Sequence, residues 1–486
     1  MYLGLDIGTS AIKAVVCDEA QNIVAQASRS LSVSMPYPLW SEQNPEDWWM
    51  AVQEIFTELQ DLYPKEFKSV KALGIAGQMH GAVLLDVDGR VIRPAILWND
   101  GRSAAECESL EKSVSDFPSR AGNIAMPGFT APKLLWVKHH EPDNFKRIHK
   151  VLLPKDYIRY CLTGDFVSDM SDAAGSLWMN VATRNWDDEL LNACGLSQDH
   201  MPCLVEGAEA SGHMLGQLRE DYGFENEVMV VGGAGDNAAG AIGIGAVGAG
   251  EGFLSLGTSG VLFVANDHYQ SNPDRAVHSF CHALPGRWHQ MSVILSAASC
   301  LSWVAKLTQS DDIAALLDEA ATAAPSDRLI FLPYLTGERT PHNNPDATGV
   351  FIGMTSDTGR GDLVRAVLEG VGFAFADGLD VLQSVTSKIE VLSVIGGGSQ
   401  SQFWVQMLAD ILKTRLTKHS SGEVGPAFGA ARLARLGYSG EAIEDICTAP
   451  EVSDVFEPNP ANENYYTEKR ARFKKLYLAL ETEFAA

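Results

Sequence analysis

Leu3-Gly4-Leu5-Asp6-Ile7-Gly8-Thr9-Ser10-Ala11-Ile12, near the start of the chain, reads as an apolar strand, a tight turn and a second apolar strand. The same order returns in Phe253-Leu254-Ser255-Leu256-Gly257-Thr258-Ser259-Gly260-Val261. A hairpin tipped by Gly-Thr-Ser offers free backbone N–H groups and two hydroxyls to whatever lies at the turn, which suits a phosphate. A tight turn alone would account for either copy. Two copies, each heading one half of a 486-residue chain, predict two related lobes with facing half-sites.

Working outward, strand-like runs at 2–5, 12–17 and 73–76 alternate with amphipathic helical stretches such as 48–62, an α/β pattern. The Gly/Ala-rich stretch 243–252 precedes the second hairpin. It predicts a boundary near Ala249, with domains over 1–248 and 249–440 and a helical tail over 441–486. Gly243-Ile244-Gly245-Ala246-Val247-Gly248 is a literal G-x-G-x-x-G. The strand at 228–231 ends well before it, and no acidic residue closes a second strand about 20 residues on, so it reads as small-residue packing rather than a dinucleotide site.

The composition, 46% hydrophobic and 20% charged, is that of a globular protein. A formal charge of -25, from 37 Lys+Arg against 62 Asp+Glu, argues against nucleic acid and acidic membranes as partners. It also means that an anionic ligand needs a metal ion, backbone amides or a local lysine at its site. The opening residues show neither a basic leader nor a cleavage pattern, and no window has the length of a membrane span. The expectation is a cytoplasmic protein. Eight cysteines without a C-x-x-C pair read as reduced thiols. His278, Cys281 and His282 approach metal spacing but lack further ligands.

There is no Gly-Lys dipeptide, hence no Walker A loop, and neither H-R-D nor D-F-G occurs. Asp6 ends the first strand before Gly8-Thr9-Ser10, where a carboxylate can hold magnesium against phosphates, whereas the second copy has Ser255 there. That asymmetry suits one Mg-ATP between two lobes. Lys13 reads equally as its countercharge or as a solvated strand lysine. Transfer to an alcohol also needs a base at the acceptor. Asp236, after the turn Gly232-Gly233-Ala234-Gly235 and beside Asn237, is placed for that role or for a helix N-cap. Sugar hydroxyls call for neutral hydrogen-bonding groups, and Gln78-Met79-His80 and Trp98-Asn99-Asp100 both follow strands. Gly396-Gly397-Gly398, after the strand at 391–395, would let adenosine lie on bare backbone, Gly397 and Gly398 included, or would serve as a flexible turn.

Together, Asp6-Ile7-Gly8-Thr9-Ser10, Gly257-Thr258-Ser259 and Gly396-Gly397-Gly398 resemble the nucleotide motifs of the actin-like ATPases. Within that superfamily, Gly128-Phe129-Thr130-Ala131-Pro132-Lys133 and Gly349-Val350-Phe351-Ile352-Gly353-Met354 resemble signatures of the FGGY carbohydrate kinases. Leu39-Trp40-Ser41-Glu42-Gln43, Gln78-Met79-His80-Gly81 and Gly337-Glu338-Arg339-Thr340-Pro341 are similar to that family's bacterial members acting on D-xylulose. The resemblance implies two ribonuclease-H-like domains with ATP and sugar in the cleft between them, Asp236 as base, Met79 and His80 as sugar contacts, and a possible homodimer. The rival expectations are a kinase for ribulose, glycerol or another polyol, and a non-enzymatic ATP switch.

Overall fold

The computed structural model describes residues 1–384, 389–420 and 425–484. Two seven-stranded mixed sheets organise it. In the first, Tyr2–Ile7 pairs antiparallel with Ala11–Cys17, which pairs antiparallel with Ile23–Ser30. On its other side Tyr2–Ile7 runs parallel to Ala72–Gly77, followed by parallel Met229–Val231 and antiparallel Ala210–His213, with the short Ala234–Gly235 also parallel to Ala72–Gly77.

The second sheet repeats this order. Gly252–Leu256 pairs antiparallel with Gly260–Asn266, and that strand with Trp288–Ile294. Parallel Val391–Ile395 and Arg415–His419 follow on the other side, then antiparallel Val452–Phe456. His278–Cys281 is added at the Trp288–Ile294 edge. The hairpin repeat in the sequence is therefore the visible part of a repeat of whole sheets.

Local chemistry sets the helices that cover them. The Asn44 side chain caps Pro45–Leu62 by accepting from the Glu46 amide, and Trp48, Val52, Ile55, Phe56 and Leu59 give it one buried stripe. In the second half, Arg360–Gln383 is buried along most of its length. The tail forms the helix Glu463–Phe484, whose Tyr466, Phe473 and Tyr477 enter the second core. The last two residues of the tail lie outside the described residues.

The halves share hydrophobic clusters, Trp178 and Met179 with Phe263 and Phe280, and Val231 and Ile242 with Leu433, and glycines allow the closest approaches. Pro426–Ser439, late in the chain, lies against the first sheet and against Asp236–Ile244. A Cβ on Gly4 would stand 1.8 Å from the Ala427 carbonyl oxygen, and one on Gly429 1.8 Å from that of Ala239 and 3.1 Å from the Gly243 amide. The G-x-G-x-x-G stretch thus serves helix packing, with Gly245 at the positive φ of 74° that ends Asp236–Ile244. All eight cysteines are unpaired. Among the described residues no helix is long and apolar enough to cross a membrane.

Candidate active site

Each Gly-Thr-Ser turn joins a pair of antiparallel strands at the centre of its own sheet, Tyr2–Ile7 with Ala11–Cys17 in the first and Gly252–Leu256 with Gly260–Asn266 in the second. Among the described residues, the amides of Gly8, Thr9, Ser10, Gly257, Thr258 and Ser259 donate to no protein acceptor. The carbonyls of Gly257 and Thr258, by contrast, are taken by the amides of Ala298 and Ala297, at 2.8 and 3.0 Å. Each turn is held from behind with its donors free, as a phosphate cradle requires.

A cleft of about 730 Å³ is lined from the first half by Asp6 and Lys13, and from the second by Gly396, Gly397, Ser399 and Lys418. The three glycines differ. A Cβ on Gly396 or Gly398 would strike Leu256, whereas one on Gly397 would meet nothing within 4 Å. Gly396 and Gly398 are demanded by packing, and Gly397 leaves open space at the cleft. Asp6 is half-buried and its carboxylate accepts no hydrogen bond among the described residues. Burial, with the charge of Asp236 added and Lys13 opposing, raises its pKa to about 7. Such a carboxylate fits a divalent cation, the one partner that would restore its charge. Among the described residues no three His, Cys, Asp or Glu side chains are grouped to hold a metal, so that cation would arrive with the phosphates.

A second cavity, of about 270 Å³, is lined by Met79, His80, Trp98, Phe129, Asp236 and Asn237 from the first half, and by Ser259, His278, Phe280 and Arg339 from the second. Ser259, expected at the phosphates, faces this cavity alongside Asp236 and so stands between the two ligands' places. Asp236 opens the helix Asp236–Ile244 with Gly235 at the N-cap, so it is not the cap; its Oδ1 accepts from the Asn237 amide at 2.7 Å and the Asn237 Nδ2 at 2.9 Å. Burial raises its pKa to about 6 against those two hydrogen bonds, which leaves it ionised near neutrality.

His80 holds a left-handed backbone (φ 69°), unusual for a non-glycine residue, and its Nδ1 donates to the Gly175 carbonyl at 2.8 Å. Burial, with Lys133 nearby, lowers its pKa to about 3, so the neutral ring has Nε2 as an acceptor. A Cβ on Gly175 would lie 2.6 Å from that ring. Trp98 is 46% exposed, and its Nε1 donates to Thr9 Oγ1 at 3.0 Å, linking the cavity wall to the first phosphate turn.

Two expected sugar contacts are placed otherwise. Gln78 is buried behind the turn, accepting from Thr9 Oγ1 at 2.9 Å and donating to Gln43 Oε1 at 3.1 Å. Its amide is needed to orient Thr9, not to reach the cavity. Asp100 is buried, accepting from the Ser41 amide at 2.6 Å and pairing with Arg102 at 2.7 Å, so its charge is already satisfied.

Sequence reasoning missed His278 and Arg339 as site residues. The Asn123 Nδ2 donates to the Ala121 and Ser279 carbonyls, so its Oδ1 accepts from His278 Nδ1 at 2.8 Å. His278 Nε2 then accepts from Arg339 at 3.2 Å. Arg339 has no carboxylate within ion-pair distance among the described residues, so its other donors are available to the cavity. The Glu-Arg pair in Gly337-Glu338-Arg339-Thr340-Pro341 was the one hint, since adjacent charges in an otherwise neutral turn need a reason.

Known proteins carry the same architecture. The N-terminal domain of the FGGY family of carbohydrate kinases matches residues 1–243, and its C-terminal domain residues 252–438. The xylulose kinase of Escherichia coli is 52% identical over 482 residues, 99% of each chain. A solved "xyloylose kinase" from Brucella ovis is 48% identical, covers 99% of both chains and superposes with a TM-score of 0.97. The xylulose kinase of Rhodospirillum rubrum, 29% identical over the whole of both chains, superposes with a TM-score of 0.93. With a Gly-Thr-Ser turn at the heart of each sheet, a carboxylate in each cavity and both domains matched in order, the chain belongs to the FGGY family of carbohydrate kinases.

Proposed function

We propose that the protein transfers the γ-phosphoryl group of Mg-ATP to the C5 hydroxyl of D-xylulose, giving ADP and D-xylulose 5-phosphate. The observation that carries this reading is full-length similarity to xylulose kinases, combined with a cavity that Asp236 shares with Asn237, Trp98, His80 and the donor Arg339. Asp236 accepts the hydroxyl proton as O5 attacks the γ-phosphorus and the bond to ADP breaks. Met79, His80, Trp98 and Asn237 shape the sugar side, and Arg339 adds charge-assisted donors for the ketose oxygens.

The amides of both Gly-Thr-Ser turns, with Lys13 nearby, orient the phosphates. Gly397 gives the adenosine room. Asp6 would hold the divalent cation, which when bound spreads the charge of the transferring phosphoryl group. The same reading divides the chain near Ala249, places sugar mainly on the first domain and ATP mainly on the second, and sites the reaction in the cytoplasm.

The test is a coupled ADP-release assay with Mg-ATP and a panel of D-xylulose, D-ribulose, L-ribulose, glycerol and gluconate. Marked preference for D-xylulose is expected. Preference for another acceptor would refute the substrate, and sugar-independent turnover would refute the transfer.

A further inference from the structure

Behind the turn that delivers Asp236 lies a cluster of charge that the proposed chemistry does not use. Lys155, Asp156, Arg159, Asp169, Ser171 and Asp172 are all completely buried. Lys155 Nζ lies 2.5 Å from Asp156, 2.7 Å from Asp169 and 3.7 Å from Asp172. Arg159 pairs with Asp156 at 2.7 Å. Burial raises the pKa of Asp172 well above the usual carboxylate range, with Lys155 opposing and the neighbouring carboxylates Asp156, Asp169 and Asp236 adding to the effect.

A buried ionic cluster is seldom the cheapest way to stabilise a core, and fixing one geometry is its better-attested use. The geometry fixed here is that of the segment leading to Asp236. Arg159 donates to the carbonyls of Val231 and Gly232, at the entry to the turn. At the exit, the Gly235 amide donates to Ser171 Oγ at 3.1 Å, and Ser171 Oγ donates to Asp169 Oδ2 at 2.5 Å. Asp169 Oδ2 also accepts from the Ser171 amide at 2.7 Å, and its Oδ1 is the atom held by Lys155. Between these two grips stands Gly233 at φ 70°, where a Cβ would be 1.9 Å from the Ile75 carbonyl oxygen. Ala234–Gly235 pairs parallel with Ala72–Gly77 on one side, and the Ser171 hydroxyl takes the Gly235 amide, so this glycine-rich backbone is defined just before Asp236 by the two together.

We propose that Ser171, anchored through Asp169 on Lys155, is a positioning residue that fixes Asp236 by holding the Gly235 amide. This rests on the reading of Asp236 as the base. A base held short of its acceptor loses rate steeply with small displacements, while ligand binding is spared.

In the full-length protein, Ser171→Ala should lower kcat for sugar-dependent ADP release by about tenfold. KM for D-xylulose, KM for ATP and the thermal midpoint should stay near those of the unaltered protein, and Ser171→Thr, which keeps the hydroxyl, should restore most of the rate. Asp236→Asn is assayed alongside. If it is inactive while Ser171→Ala keeps full kcat, the positioning role is overturned and the base stands. A rate loss in Ser171→Ala that follows a falling thermal midpoint and that Ser171→Thr does not restore also overturns it. Undiminished turnover by Asp236→Asn overturns both.

Discussion

Asp236 combines a raised pKa of about 6 with a place in the smaller cavity, the one proposed to take the sugar, and the raised pKa follows from burial. A general base must be ionised, so kcat/KM for the sugar should rise with pH, reach half its limit near 6 and level off above. A pH–rate profile checks this; an acid limb centred in the ordinary carboxylate range would contradict it. Because the folded-state pKa lies above the unfolded one, stability falls as pH rises from that range through about 6. Asp236→Asn should therefore cut turnover by at least about a hundredfold while raising the thermal midpoint near neutrality. Arg339 belongs to the same scale. Replacing it by glutamine removes charge-assisted donors and should raise KM for D-xylulose by about tenfold or more, with a smaller change in KM for ATP.

At the scale of elements, the tail helix Glu463–Phe484 is part of the second core rather than an appendage. Its Lys469 pairs with buried Glu369, which Tyr465 and Arg365 also contact, at 3.1 and 3.2 Å. Lys469→Ala should destabilise the protein toward the lower end of about 3–5 kcal/mol, because Arg365 still faces the carboxylate, and denaturant unfolding measures this. The glycine triplet gives a second contrast. Gly397→Ala should fold normally and raise KM for ATP, whereas Gly398→Ala, whose Cβ would lie 2.5 Å from Leu256, should lower the thermal midpoint.

For the whole molecule, both cavities take residues from both halves: Asp6 with Gly397 in one, His80 with Arg339 in the other. On the proposed function each ligand would bridge the lobes, and closure would gain most when both are present. Small-angle scattering should show the smallest radius of gyration with D-xylulose and a non-hydrolysable ATP analogue together. An unchanged radius with both would argue for a rigid cleft. Pro426–Ser439 is a fixed part of the frame, since Leu433 and Leu436 pack with Tyr2, Val231 and Ile242, and Arg432 donates to the Ile242 and Gly243 carbonyls at 2.9 and 3.0 Å.

The sequence by itself determined the α/β class, the duplicated hairpin and the residues at strand ends, because alternating strand patterns and Gly-Thr-Ser turns are local in the chain. Asp6, His80 and Asp236 were legible for that reason. The tertiary structure alone decided which neighbours of those motifs reach a cavity. Gln78 and Asp100 sit beside cavity residues in sequence, yet a strand alternates its faces and a loop can turn inward, so both are spent on Thr9 and Arg102. His278 and Arg339 enter the sugar cavity from the second half, and Ser171 reaches Gly235 across 64 residues. Such contacts depend on how two sheets pack and on which buried polar groups need partners, and no local pattern in the chain records either.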